Sequence, residues 1–192
     1  MKTVDLRISP PRARSAGFVM ISALLMILVV SLLGVVMLRG NGLQERIAAN
    51  TRDKLRAFTV AQSTLQYGEW WLSENGSGTG EACSGVTRIA DAGDLQVCAD
   101  DLGDPAALPW AVRFEYAPED LAVSADGGLT AQGQWNYRDV PALHIHYLGF
   151  SMDGTAQLYR VSASASGGKS GTAAVVRSTY QLTSGVRDLG GL

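Results

Sequence analysis

Charge is missing from Phe18 through Leu38, 21 residues with no Asp, Glu, Lys or Arg among them. A helix of that length rises about 30 Å, the thickness of the hydrocarbon core of a bilayer. Proline is absent between Pro11 and Pro105, so nothing in that interval forces a helix to end. Two cysteines exclude a disulfide-dense scaffold and leave too few thiolates for a structural zinc site. Two histidines make a multi-histidine metal centre a poor fit. No phosphate-binding loop, no G-x-G-x-x-G opening a helix and no G-x-S-x-G elbow occurs; Ser31, Ser164 and Ser184 have no nucleophile motif around them. The expectation is a protein that is not an enzyme and needs no cofactor or metal.

Charge is unevenly placed. The first 17 residues carry Lys2, Arg7, Arg12 and Arg14 against Asp5, net +3, and the remainder is net -5, which together give the chain's -2. Positive charge before a first apolar helix holds that end in the cytoplasm, so the acidic remainder is expected outside. An acidic outer part is unsuited to a nucleic-acid backbone, and no nucleic acid is expected as a partner. The apolar run is too long for the core of a cleaved secretory signal, and it leaves into Leu38-Arg39-Gly40-Asn41 rather than into small residues.

Beyond Arg39, Leu43, Ile47, Leu55, Phe58, Ala61, Leu65 and Leu72 recur at helical steps, and Ser73 to Gly78 is the expected stop. The spacing predicts one helix over 18–75, apolar in its first half and amphipathic in its second. Gly34 is read as an ordinary residue of a membrane helix. From Trp110 the period changes to two. Candidate strands are Trp110 to Tyr116, Ala142 to Phe150, Gln157 to Ala165 and Thr172 to Leu182, with turns at Ser151 to Gly154 and Ser166 to Gly171. The expected fold class is α+β: a long N-terminal helix, membrane-spanning over 18–38, packed on a C-terminal antiparallel sheet of about four strands. Residues 117–141 read as an irregular excursion with a turn at Asp126-Gly127-Gly128 and with Trp135 and Tyr137 as anchors.

Cys83 and Cys98, 15 residues apart, are expected to form a disulfide if the tail is exported, worth about 3 kcal/mol by loop closure. His144 and His146 alternate along a strand near Asp139. They are read as a solvated or subunit-facing surface rather than a metal site, because no third ligand has a clear signature. Asp91, Asp94, Asp100, Asp101 and Asp104 lack the order of a calcium loop and are read as solvated acids.

Three stretches together resemble type IV pilin-like proteins, among them the PilX-type minor pilins: the basic leader ending in Gly17-Phe18 before the apolar helix, the run Leu43-Gln44-Glu45-Arg46-Ile47-Ala48-Ala49-Asn50 with Ala57-Phe58 and Ala61, and Tyr159-Arg160-Val161-Ser162-Ala163 followed by a glycine turn and Val175 to Tyr180. They cover about half of the chain. The resemblance implies a prepilin leader over 1–17, cleavage after Gly17 by prepilin peptidase with N-methylation of Phe18, and an exported globular domain over 76–192. It also implies a place in the inner membrane and then in a pilus. Implied partners are other minor pilins and the major pilin, the inner-membrane assembly platform and a tip adhesin, in support of adhesion and twitching motility. Most pilins carry Glu at the position of Ser22, where it neutralises a neighbouring subunit's amine. A subunit without it fits the filament tip, in a priming complex. Gln62 also stands where Glu is usual. A pseudopilin of type II secretion, or a signal-anchored periplasmic binding or sensor module, would share the leader and helix.

Overall fold

The computed structural model describes residues 16–76, 78–126, 128–129 and 136–183. The basic leader, Trp135, Gly127 and Ser184 therefore lie outside the described residues. The chain divides into two compact units, residues 1–48 and 49–192.

Helix α1 runs Ala16–Asn75. It ends where the fold needs a glycine: Gly76 N–H donates to Leu72 O at 2.9 Å, and a Cβ on Gly76 would press on that same carbonyl. Five strands follow: β1 (Val86–Arg88), β2 (Arg113–Glu115), β3 (Ala142–Phe150), β4 (Ala156–Ser166) and β5 (Ala173–Thr183). They lie side by side in chain order, with β1 parallel to β2 and every other pair antiparallel. The α+β class expected from the sequence is the one observed, with one strand more than expected. The added strand is β1, three residues whose half-exposed Val-Thr-Arg gives no alternation to read. The candidate strand at Trp110 shortens to Arg113–Glu115 because Trp110 is used differently: its indole N–H donates to Pro105 O at 3.0 Å and its carbonyl accepts from the Arg113 guanidinium at 2.9 Å. Between Tyr147 and Gly149 the β3–β4 register shifts by a bulge, and Gly149 takes φ +115°, which a side chain would resist.

Period two puts Leu143, Ile145, Tyr147, Tyr159, Val161 and Ala163 on one side of the sheet, and these form the core with Trp71 and Leu72 of the helix and with Leu95, Val97 and Phe114. Gly68 lets the helix approach: a Cβ there would sit 2.9 Å from Leu143 Cδ1 and 3.0 Å from Val161 Cγ1. The helix face that enters the core differs from the one the apolar spacing predicts. Asp53, Ala57, Ala61, Thr64, Gly68, Trp71 and Leu72 are buried and Leu65 partly so, whereas Leu55 and Phe58 are 59% and 43% exposed. Small residues win at this contact because they let backbone approach sheet, and bulk elsewhere on the helix is left outward.

The anchoring of the helix to the sheet is polar as well as apolar. Asp53 accepts the backbone N–H of Gly168 at 2.8 Å and of Lys169 at 3.3 Å, and Lys169 Nζ donates to Asn50 Oδ1 at 3.1 Å. Midway, the Ser178 hydroxyl bonds Glu69. On the other flank Tyr67 stacks on Tyr116 with ring centroids 4.2 Å apart, and the Trp71 indole donates to Ala92 O at 2.6 Å. In the excursion, Tyr137 bridges to Val123 and lies under the Arg56 guanidinium, 4.6 Å from ring centroid to carbon.

Candidate functional site: the apolar helix start and the outer sheet face

Gly17 and Phe18 lie in the first turn of α1. Among the described residues a Cβ on Gly17 would meet nothing within 4 Å, and Phe18 is 78% exposed. From Gly17 to Val36 the helix is long and apolar enough to cross a membrane, and none of it is buried within the protein. An apolar surface open on every side is costly in water, and lipid or other apolar helices are what can cover it. Ser22 and Ser31 fold their hydroxyls back onto the helix: Ser22 Oγ donates to Val19 O at 3.0 Å and Ser31 Oγ to Ile27 O at 2.7 Å. Each hydroxyl thus has a partner without leaving the helix, which is how serine is tolerated in such a segment.

In the second unit, Cys83 and Cys98 are joined by a disulfide, with Cα atoms 5.3 Å apart. It ties the segment after the helix to the sheet, because Cys98 N–H donates to Ile145 O at 2.7 Å and Tyr147 N–H to Cys98 O at 3.2 Å. Gly80 makes the approach possible. It takes φ +91°, and a Cβ there would lie 2.8 Å from Cys98 O.

On the side of the sheet away from the helix stand His144, His146, Arg160, Ser162 and Arg177. Asp101 closes over them and pairs with both Arg160 and Arg177, while Arg177 Nε donates to Ser162 Oγ at 3.0 Å. This corrects one expectation. His144 is not solvated but 2% exposed, because Asp101 and Trp110 belong to a loop laid over this face, and among the described residues its Nδ1 has no hydrogen-bond partner. Burial pushes its pKa down to about 4; the neighbouring Asp101 opposes that shift, and His146 and Arg177 add to it. Asp91, Asp94, Asp100, Asp101 and Asp104 are all exposed, as expected of solvated loop acids, though three of them also have partners. Asp101 is in the ion pairs, Asp94 accepts backbone N–H groups of Ala90 and Asp91, and Asp104 accepts that of Ala106. Those two backbone bonds hold the Asp94 carboxyl below its usual range.

Asp139 does not join the histidines. It stays exposed while its N–H donates to Ser166 Oγ at 2.7 Å. Among the described residues no three His, Cys, Asp or Glu side chains are grouped to hold a metal. A cavity of about 770 Å³ lies between the Leu108–Trp110 loop, Ser164, Ser166, Arg138 and Lys169. Its Arg113 is committed to Glu115 at 2.9 Å. What the sequence reading missed is Asp53, the buried carboxylate that holds the β4–β5 turn. Its signal is an acid interrupting the small-residue row that continues through Ala57 and Ala61.

Residues 16–66 match the family described as PilX N-terminal. No curated protein and no solved structure matches the chain. The matched stretch begins at the Gly17-Phe18 junction, takes in the whole apolar span and reaches the part of α1 that packs on the sheet. Over residues 16–66 the chain is therefore similar to the PilX N-terminal family, which supports the resemblance to PilX-type type IV pilins.

Proposed function

We propose that this protein is a minor pilin that acts in assembly of a type IV pilus, in the priming complex at the filament tip, and thereby supports adhesion and twitching motility. The observation that carries the reading is the PilX N-terminal match, laid on a helix whose apolar surface is open on all sides. Residues 1–17 are the leader, 18–75 the helix with 18–38 in the membrane, and 76–192 the exported domain. Prepilin peptidase cuts after Gly17, and Phe18 becomes the N-methylated first residue. Before assembly the N-terminus is cytoplasmic and the sheet domain periplasmic. The apolar helix is then covered by the helices of other minor pilins and the major pilin in place of lipid, so one surface serves two apolar surroundings. The inner-membrane platform supplies the transfer, and an adhesin at the tip is a further partner.

Ser22 supports the tip position. A buried amine without a carboxylate partner is costly, and Ser22, bonded to its own helix, brings no charge to offset a neighbour's. A subunit of this kind fits where no subunit stands ahead of it.

The first experiment is the mass and N-terminal sequence of the mature protein from cells with and without prepilin peptidase. An N-methylated Phe18 seen only with the peptidase supports the pilin reading, and an intact Met1 in both strains overturns it. Deletion is expected to remove surface pili and spare protein secretion; the reverse pattern would assign the chain to a type II secretion system. For the tip position, Ser22→Glu is expected to reduce piliation, and unchanged pili with unchanged subunit location would remove its support.

A further inference from the structure

Between Cys98 and Arg113 the chain leaves the sheet and crosses its outer face. Residues 99–112 form no helix or strand, and both ends of the segment are pinned. At one end the disulfide holds Cys98, whose N–H donates to Ile145 O at 2.7 Å, and Ala99 N–H donates to Glu81 O at 2.8 Å. At the other, Arg113 N–H donates to Gly85 O at 3.1 Å and its guanidinium donates to Trp110 O at 2.9 Å.

The stretch between these ends is bonded chiefly to itself. Ala107 N–H donates to Asp104 O at 3.2 Å, Leu108 N–H to Ala106 O at 3.0 Å and the Trp110 indole to Pro105 O at 3.0 Å. Among the described residues no backbone hydrogen bond joins 100–112 to a strand, and Trp110 is the one buried residue of 99–112. Away from the Arg113 end, the polar links to the strands are the pairs of Asp101 with Arg160 and Arg177. Each side chain in those pairs is 30–34% exposed, where solvent screening leaves an ion pair a small contribution. Two cavities border Trp110. One of about 390 Å³ is lined by Asp100, Val112 and His144, and one of about 770 Å³ by Leu108, Ser164 and Ser166. Fixed ends, internal bonding and loose packing underneath are the features of a segment that moves as one piece.

Beneath the segment lies His144, 2% exposed and, among the described residues, with no hydrogen-bond partner at Nδ1. A neutral imidazole is accommodated there, but an imidazolium brings a charge and a second N–H donor into the same dry space. The groups facing it do not offset that charge. The covering segment supplies Asp101, with Asp100 and Asp104 along the smaller cavity. From the sheet come His146 on β3, Arg160 on β4 and Arg177 on β5, and on β2 Arg113 and Glu115 are taken up by each other at 2.9 Å. Asp101 is already shared by two guanidinium groups, and Cys83, in its disulfide, does not titrate.

We infer that residues 99–112 are an acid-released flap: protonation of His144 swings the segment off the sheet about Cys98 and Arg113, uncovering His144, Ser162, Arg160 and Arg177 while the core on the helix side stays folded. Opening lets water reach the ring. It also parts Asp101 from the two arginines, so the uncovered face gains positive charge.

Linkage sets the size of the response. Burial under the closed flap holds the His144 pKa at about 4, against 6.5 for a ring in water, so the open form binds the proton better. Above pH 6.5 neither form is protonated and the flap is closed. As pH falls from 6.5 to 4 the ratio of open to closed rises by up to about 300-fold. The flap and everything it touches lie within residues 49–192, so the device is independent of the membrane span.

The test uses the full chain in detergent micelles, labelled with fluorotryptophan. The Trp110 fluorine resonance is assigned by its loss in Trp110→Phe, and its shift between light and heavy water reports exposure. Trp71, in the core, is the reference for folding. An exposed Trp110 signal is expected to grow between pH 6.5 and 4 while Trp71 stays buried. His144→Leu, which takes up no proton, is expected to keep Trp110 buried throughout, and His144→Gln serves where that variant does not fold. Asp101→Asn removes the pairs to both arginines and is expected to move opening to higher pH. Three results overturn the inference: exposure of Trp110 and Trp71 together, opening that persists in the folded His144 variant, or a Trp110 that stays buried down to pH 4. None depends on whether Phe18 is processed, so failure here and failure of the pilin reading are separable.

Discussion

The carboxylate of Asp53 accepts the backbone N–H of Gly168 at 2.8 Å across 115 residues of chain, and there is no room for a side chain between them: a Cβ on the adjacent Gly167 would lie 2.6 Å from Asp53 Oδ2. A helix residue thus fixes the turn between β4 and β5, and the glycines of that turn are what let the carboxylate in.

Asp53→Ala is expected to destabilise the second unit by about 1–3 kcal/mol, because the backbone N–H groups of Gly168 and Lys169 lose a charged acceptor. Asp53→Asn, which keeps one acceptor oxygen, should lose less. Denaturant titration followed by circular dichroism checks both. An Asp53→Ala midpoint equal to that of the native protein would show that water replaces the carboxylate without cost.

Gly68→Val tests the close approach of helix to sheet. Removing a helical glycine gains about 1 kcal/mol at most, whereas forcing a branched side chain against Leu143 and Val161 costs about 1–3 kcal/mol or more. The expected sign is destabilising, read as a lower Tm. A higher Tm would mean that the sheet can shift away from the helix without loss.

Replacing Cys83 and Cys98 together by serine should cost about 3 kcal/mol, the loop-closure value for a separation of 15 residues. The loss should be largest for the pairing of the Cys98 segment with β3, since the disulfide holds that segment to the stretch before β1. Amide exchange at Cys98 and Tyr147, compared between oxidised and reduced protein, reports it. Equal protection in both states would leave the bond without a structural role.

His144 makes the fold acid-sensitive in a defined window. Its pKa falls from 6.5 to about 4 on folding, chiefly through burial, so below pH 6.5 the unfolded chain binds the proton that the folded one excludes. Stability conferred above pH 6.5 is lost progressively down to about pH 4, and the loss is on the order of 3 kcal/mol. Asp101 faces the ring and moderates the effect, while His146 and Arg177 add to it. Subtracting the stability profile of His144→Leu from that of the native protein should isolate a slope between pH 6.5 and 4. A flat difference over that window rejects the assignment.

Local pattern was enough for the elements that are long and regular. The charge-free run, the proline-free helix and the alternation of Ala142–Phe150 and its two following strands are written in neighbouring residues, since helix and strand periods act over a few positions, and the structure returns these elements with ends shifted by one or two residues. The exposed apolar span from Gly17 to Val36 was legible for the same reason. The docking face of the helix was not. Leu55 and Phe58 carry the hydrophobic signal, but shape decides the contact, and only the three-dimensional fit of Ala57, Ala61 and Gly68 against Leu143 and Val161 turns the bulky residues outward. Three-residue β1, the parallel pairing it makes, the burial of His144 beneath the Asp101 loop and the Asp53 anchor likewise depend on groups far apart in the chain. Such partners are chosen by which desolvated donors and acceptors must be matched after collapse, and no local period records that choice.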